Sequence, residues 1–159
     1  MALAIIMGSY VSTALLFKIN HMGFSSYVGR FNEFDVSLNF DPNNIESSSI
    51  EAVIDMRSID VNNPAFAITL LGAPWLNTEN FPQAVFRSLS VEKIENEQLL
   101  VQGELTFLDA TQAVTVVAKL NGAANNPLTR SILLALLPIY DLNILNLVWK
   151  SLFRWWVTK

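Results

Sequence analysis

The chain has 159 residues, 52% of them hydrophobic and 15% charged, with a net charge of −4 at neutral pH. That length fits one domain with a core of its own. The acidic balance offers no basic stripe to neutralise phosphates, which argues against a nucleic-acid partner, and the absence of cysteine excludes disulfides, thiolate chemistry and cysteine-ligated metals.

Residues 1–17 are apolar, but nothing basic precedes Lys18. A secretory signal needs a positive segment ahead of its apolar run, so none is expected here. No internal run reaches the roughly 18–20 uncharged apolar residues of a spanning helix.

Residues 17–42 organise the chain. They read as two alternating strands joined by a bend at Gly29. Phe17, Ile19 and His21 fall on one face, with Lys18, Asn20 and Met22 on the other. Beyond the bend, Phe34, Val36, Leu38 and Phe40 alternate with Glu33, Asp35, Ser37 and Asn39. Period two with one apolar face predicts half-buried antiparallel strands. Residues 45–49 form a polar link. Ile50, Ala52, Ile54 and Met56 then alternate with Glu51, Val53 and Asp55, which predicts a third strand. Ser58-Ile59-Asp60 and Asn62-Asn63-Pro64 close it as turns.

Residues 65–76 are apolar without alternation and predict a short helix or a lid over one end of a sheet. Pro82 opens an extended run with Ala84, Phe86 and Leu89 on a shared face. Residues 92–97 form a charged hairpin connection. Next, Val101, Gly103, Leu105 and Phe107 point one way, with Gln102, Glu104 and Thr106 opposite. After a turn at Asp109-Ala110, Val114, Val116, Ala118 and Leu120 share a face, and residues 122–127 read as a loop. Short strands with frequent turns predict an all-β chain, an antiparallel sheet curled into a barrel or sandwich.

From Arg130 the texture changes. Residues 130–159 contain no glycine and no period-two face, and three tryptophans stand among the last eleven residues. At face value this is an apolar, helical tail that could cover the barrel or lie on a membrane.

Catalytic chemistry finds little support. His21 is the single histidine and falls in phase with Phe17 and Ile19, which suits an inward structural role better than general-base work. Asp35, Asp55, Asp60, Glu104 and Asp109 are scattered over solvent faces and turns, with no acid–base pair or nucleophile and base among them. No ligand cluster suggests a metal. The apolar face remains. If the strands close on themselves, a long apolar molecule fits inside. The expected lining is Phe17, Ile19, His21, Phe31, Phe34, Val36 and Leu38, then Ile54, Met56 and Phe86, then Val101, Gly103, Leu105, Phe107 and Val116. Gly103 would leave room where a side chain would fill it. Arg30 and Tyr27, near the bend, are placed to meet a polar head group.

Several of these residues carry a resemblance. An aromatic strand leading into His-x-Gly and Gly-x-Phe stands as Phe17, His21, Gly23, Gly29 and Phe31. A Ser-Ile-Asp signature stands at Ser58-Ile59-Asp60, and Phe-Pro-x-Ala-x-Phe-x-Ser runs from Phe81 to Ser88. Gly103, Leu105 and Thr106, followed by Thr111, Val114 and Thr115, complete the order. Across residues 17–127 the chain resembles the YceI-like family of periplasmic, polyisoprenoid-binding proteins. The resemblance implies an all-β, antiparallel, lipocalin-like β-barrel over residues 1–129, with the short helix or lid near 65–76. It implies non-catalytic binding of an isoprenoid lipid, polyprenyl or quinone-like, without a cofactor or metal, in a periplasmic protein, and it is compatible with a homodimer.

The chain departs from the family at the apolar residues 65–71, at Asp109 in place of a turn glycine, and in its lead before about Leu15. The tail, residues 130–159, does not match. Residues 154–159 can be encoded by a stretch whose neighbouring frame reads Pro-Leu-Val-Gly-Asp-Glu, a family-like ending, in which Trp155 and Trp156 force the valine and the glycine. The tail is therefore expected to be translated out of frame, which would make the chain a truncated, poorly functional family member. The encoding DNA decides this. The alternatives are a membrane-surface protein anchored by the tryptophan-rich tail and, least favoured, an enzyme using His21.

Overall fold

The computed structural model describes residues 2–6, 14–21, 25–41, 43–95, 98–125 and 132–139, with side chains defined at 15–17, 28–41, 43–95 and 98–118. Ten strands are present among them: β1 (Ala2–Ile6), β2 (Ala14–His21), β3 (Ser25–Phe31), β4 (Phe34–Asn39), β5 (Ser49–Asp55), β6 (Ile59–Asp60), β7 (Gln83–Lys93), β8 (Gln98–Phe107), β9 (Ala110–Asn125) and β10 (Ile132–Ile139). One α-helix, α1 (Pro64–Leu71), and 3-10 turns at Ile45–Ser47 and Met56–Ser58 complete the set. The strands form two sheets, ordered β1-β2-β3-β6 and β10-β9-β8-β7-β5-β4, with every pairing antiparallel. Among the described residues no hydrogen-bonded ladder joins the sheets, although β1 runs beside β10.

The chain passes between the sheets twice at one corner. At Asn32-Glu33 it leaves β3 for β4, and at the 56–58 turn it returns from β5 to β6. The two crossings hold each other. The Asn32 amide donates to the Ser58 carbonyl at 3.1 Å, and the Asp55 amide donates to the Glu33 carbonyl at 3.0 Å. Asp55 also accepts from the Arg57 amide at 2.9 Å, which fixes the turn.

Alternation sets the core. On β8, Leu99, Val101, Leu105 and Phe107 are buried, whereas Gln102 and Glu104 are exposed. On β5, Ala52 and Ile54 are buried, and Met56 continues inward from the 3-10 turn. Helix α1 starts where Asn63 accepts from the Phe66 amide at 3.1 Å and Pro64 opens the first turn. Its Phe66, Ala67 and Leu70 pack on the core, so the helix covers part of it, as expected of residues 65–76.

Five readings change. Residues 17–42 hold three strands, not two, because Gly29 lies inside β3 opposite Phe17. A Cβ there would sit 2.8 Å from Phe17 Cε1, so the glycine makes room for the ring instead of bending the chain. Ile59-Asp60 is not a turn but β6, paired with the end of β3. Leu89 is 70% exposed, one residue out of phase with the inward Ala84 and Phe86, and a register shift between Ser88 and Ser90 makes it the extra residue of a β-bulge. Residues 122–125, read as loop, continue β9 opposite β10. Residues 132–139, read as the start of a helical tail, form β10, since a partner strand satisfies the backbone where no amphipathic period favours a helix. The tryptophan-rich end, on whose codons the reading-frame expectation rests, lies outside the described residues.

Candidate functional site

The inner face of the larger sheet is a set of cross-strand rows. Phe34, Ile54 and Ala84 form the first, and Val36, Ala52, Phe86 and Leu105 the second. Ser88, Gly103 and Val114 form the third, Val91, Val101 and Val116 the fourth, and Leu99 with Ala118 the fifth. Phe34, Ile54, Ala84, Phe86 and Leu105 of the first two rows join Leu15, Phe17, Phe31, Met56, Val61, Leu76 and Phe107 in one packed cluster beneath α1. The last two join Leu38, Phe40, Ile45 and Ile50 in a second. Phe86 touches both.

The third row between them is the smallest. Gly103 has no side chain, and Ser88 accepts a hydrogen bond from the Ile50 amide at 2.8 Å. The result is a trough between two apolar clusters. Phe86 leans into it: a Cβ on Gly103 would lie 2.6 Å from Phe86 Cε2, and closer still to the Arg87 carbonyl oxygen. The room expected at Gly103 is therefore occupied by the Phe86 ring, as cross-strand aromatics commonly cover a strand glycine. Beside Ser88, a groove of about 410 Å³ is lined by Ser37, Leu38, Asn39, Ser49, Ile50, Glu51, Arg87 and Ser88. Arg87 Nε donates to Glu51 at 3.0 Å across its wall.

Of the residues expected to line the interior, Phe17, Phe31, Phe34, Ile54, Met56, Leu105 and Phe107 gather in the first cluster. Leu38, Val101 and Val116 gather in the second, with Phe86 and Gly103 between. Val36 is half-buried in the second row and belongs to neither cluster. The side chains of Ile19 and His21 lie outside the described residues; their backbones pair with Tyr27 and Ser25. Leu15, Val61, Leu76, Val91 and Leu99 were not expected. Leu15 and Leu99 follow by parity from Phe17 and Val101. Val91 follows only once the bulge at Leu89 has reversed the phase of β7.

Two further ion pairs sit at the corner. Arg30 directs Nε and Nη2 to Asp60 at 2.9 and 2.7 Å. The Asn62 amide hydrogen bond, then Arg30, hold the Asp60 carboxyl below its usual range. Arg57 does the same for Asp55, against a smaller opposing effect of burial. A carboxylate whose folded pKa is depressed contributes stability above its unfolded pKa of about 4 and loses it as pH falls through the folded value. Urea midpoints should therefore fall as pH drops below about 4, and Asp60→Asn should lower the midpoint at pH 7 and flatten that fall, converging with the parent chain in acid. An unaltered acid slope in the variant would refute the assignment. Among the described residues no group of three or more His, Cys, Asp or Glu could hold a metal.

Comparison with known proteins adds a relationship to this geometry. The model of the YceI-like domain matches residues 9–140, so the match enters the tail and stops short of its tryptophan-rich end. A UPF0312 protein of Vibrio cholerae is 36% identical over 111 residues, which cover 70% of this chain and 59% of that protein. A UPF0312 protein of Yersinia pestis is 39% identical over 111 residues, covering 70% and 57%. The chain thus spans less than two thirds of the length of these curated relatives. Among solved structures, a YCEI protein of Campylobacter jejuni that crystallises with large solvent channels superposes with a TM-score of 0.66 at 24% identity, covering 76% of this chain and 71% of that one. BcnA of Burkholderia cenocepacia gives 0.62 at 17% identity, covering 87% and 96%. At these identities the structural matches establish likeness of fold.

Proposed function

Because this chain belongs to the YceI-like family, we propose that it binds and carries a long apolar isoprenoid-type molecule, polyprenyl or quinone-like, without catalysis. The two sheets enclose the ligand as a lipocalin-like barrel, and the protein works in the periplasm. One observation carries the reading: the inner face of the larger sheet is apolar across its width, yet falls to Ser88, Gly103 and Val114 midway. In the chain as folded the Phe86 ring fills the space over Gly103, so this row opens to a guest where that one ring moves aside. A narrow trough between two greasy clusters suits an extended chain, with Phe86 displaced or stacked along it.

Burial of an isoprenoid chain at roughly 25 cal/mol per Å² leaves micromolar or tighter binding after association costs. Titration with farnesyl, geranylgeranyl and longer prenyl alcohols should give saturable binding that tightens with chain length. Absence of saturation at every length would refute the proposal.

A further inference from the structure

The segment that covers the first cluster has a second side. Residues 61–78 contain no ionisable side chain, in a chain of net charge −4. Within α1, Phe66, Ala67 and Leu70 face the core, but Ile68 is 72% exposed on the other side. Trp75, in the turn that follows, is 37% exposed. Its neighbours hold it there. Leu76 and Thr78 are buried, the Leu76 amide donates to the Leu70 carbonyl at 3.0 Å, and the Thr78 hydroxyl donates to the Leu71 carbonyl at 3.2 Å. A helix apolar on both sides is normally covered on both.

We propose that the outer side of α1 and Trp75 docks on the surface of a zwitterionic lipid bilayer. An acidic protein approaches lipid most cheaply through a face with no charge to desolvate, and this segment is such a face. Tryptophan suits the boundary between headgroups and acyl chains. No helix among the described residues is long and apolar enough to cross a membrane, so the contact is peripheral. A second copy of the chain fits less well. An eight-residue helix is about 12 Å long, and one side of it falls well short of the roughly 800 Å² per partner that a stable dimer buries. Resting on the lipid-carrier reading above, the inner side of the same helix lies on the interior cluster, so docking would bring the bilayer next to the ligand's site.

The test uses the full chain with Trp149, Trp155 and Trp156 changed to Phe, leaving Trp75 as the sole tryptophan. Phosphatidylcholine vesicles should shift its emission to the blue, and vesicles with brominated acyl chains should quench it. Ile68→Asp should cut vesicle flotation by about tenfold or more with the melting temperature unchanged. An unmoved spectrum, undiminished flotation of Ile68→Asp, or a dimer in vesicle-free solution that this variant dissolves would overturn docking. Prenyl-alcohol titration of the same samples separates the two proposals. A chain that floats but binds no prenyl alcohol refutes the carrier reading and upholds docking; one that binds prenyl alcohol but never floats does the reverse.

Discussion

Gly103→Val should leave the chain unfolded, or less stable by more than about 3 kcal/mol in urea titration. The cause is specific. Any Cβ at 103 meets the Phe86 ring and the Arg87 carbonyl oxygen. The ring can move, but the carbonyl belongs to β7 where Arg87 pairs with Glu104, and cannot. Gly103→Ala should therefore stay destabilising when combined with Phe86→Ala. Gly29 provides the contrast, because the three atoms nearest its added Cβ all belong to the Phe17 ring. There, Gly29→Ala should cost clearly less in a Phe17→Ala background than alone, a non-additivity that a double-mutant cycle measures. Additivity at Gly29, or rescue at Gly103, would mean that the two glycines do not serve these different ends.

Phe86→Ala should cost about 3 kcal/mol, since the ring touches both apolar clusters and only part of it reaches solvent. The same change empties the trough over Gly103. A saturating prenyl alcohol should then raise the melting temperature of Phe86→Ala by more than it raises that of the parent, because the ligand refills the space and binding stabilises by mass action. An equal or smaller rise would assign Phe86 to packing alone. Phe86→Leu, which restores most of the volume, should fall between the two.

Much of the fold is legible in the chain because alternation is strict where strands have one wet side. β4, β5 and β8 follow from period two alone, and the apolar stretch 65–76 announces a helix or lid, of which Pro64–Leu71 forms the helix. Failures arise where a residue answers to a partner distant in sequence. Gly29 resembles a bend, but its lack of a side chain serves Phe17 on the neighbouring strand. Leu89 is out of phase with Ala84 and Phe86 and points outward, while Val91 turns inward only because a bulge reverses the phase, and nothing local marks that bulge. Residues 122–125 have the small and polar composition of a loop, yet pairing with β10 extends them. The site follows the same logic. Parity selects most of the inner rows, whereas the filling of the space at Gly103 depends on Phe86 one strand away.

Organic extraction of the purified, folded chain, followed by mass spectrometry, tests the carrier reading most directly. An isoprenoid species recovered at near one per chain, or taken up to that level after incubation with prenyl lipid, is the expected result. A chain that is reproducibly empty and stays empty on incubation, while still folded, would contradict it.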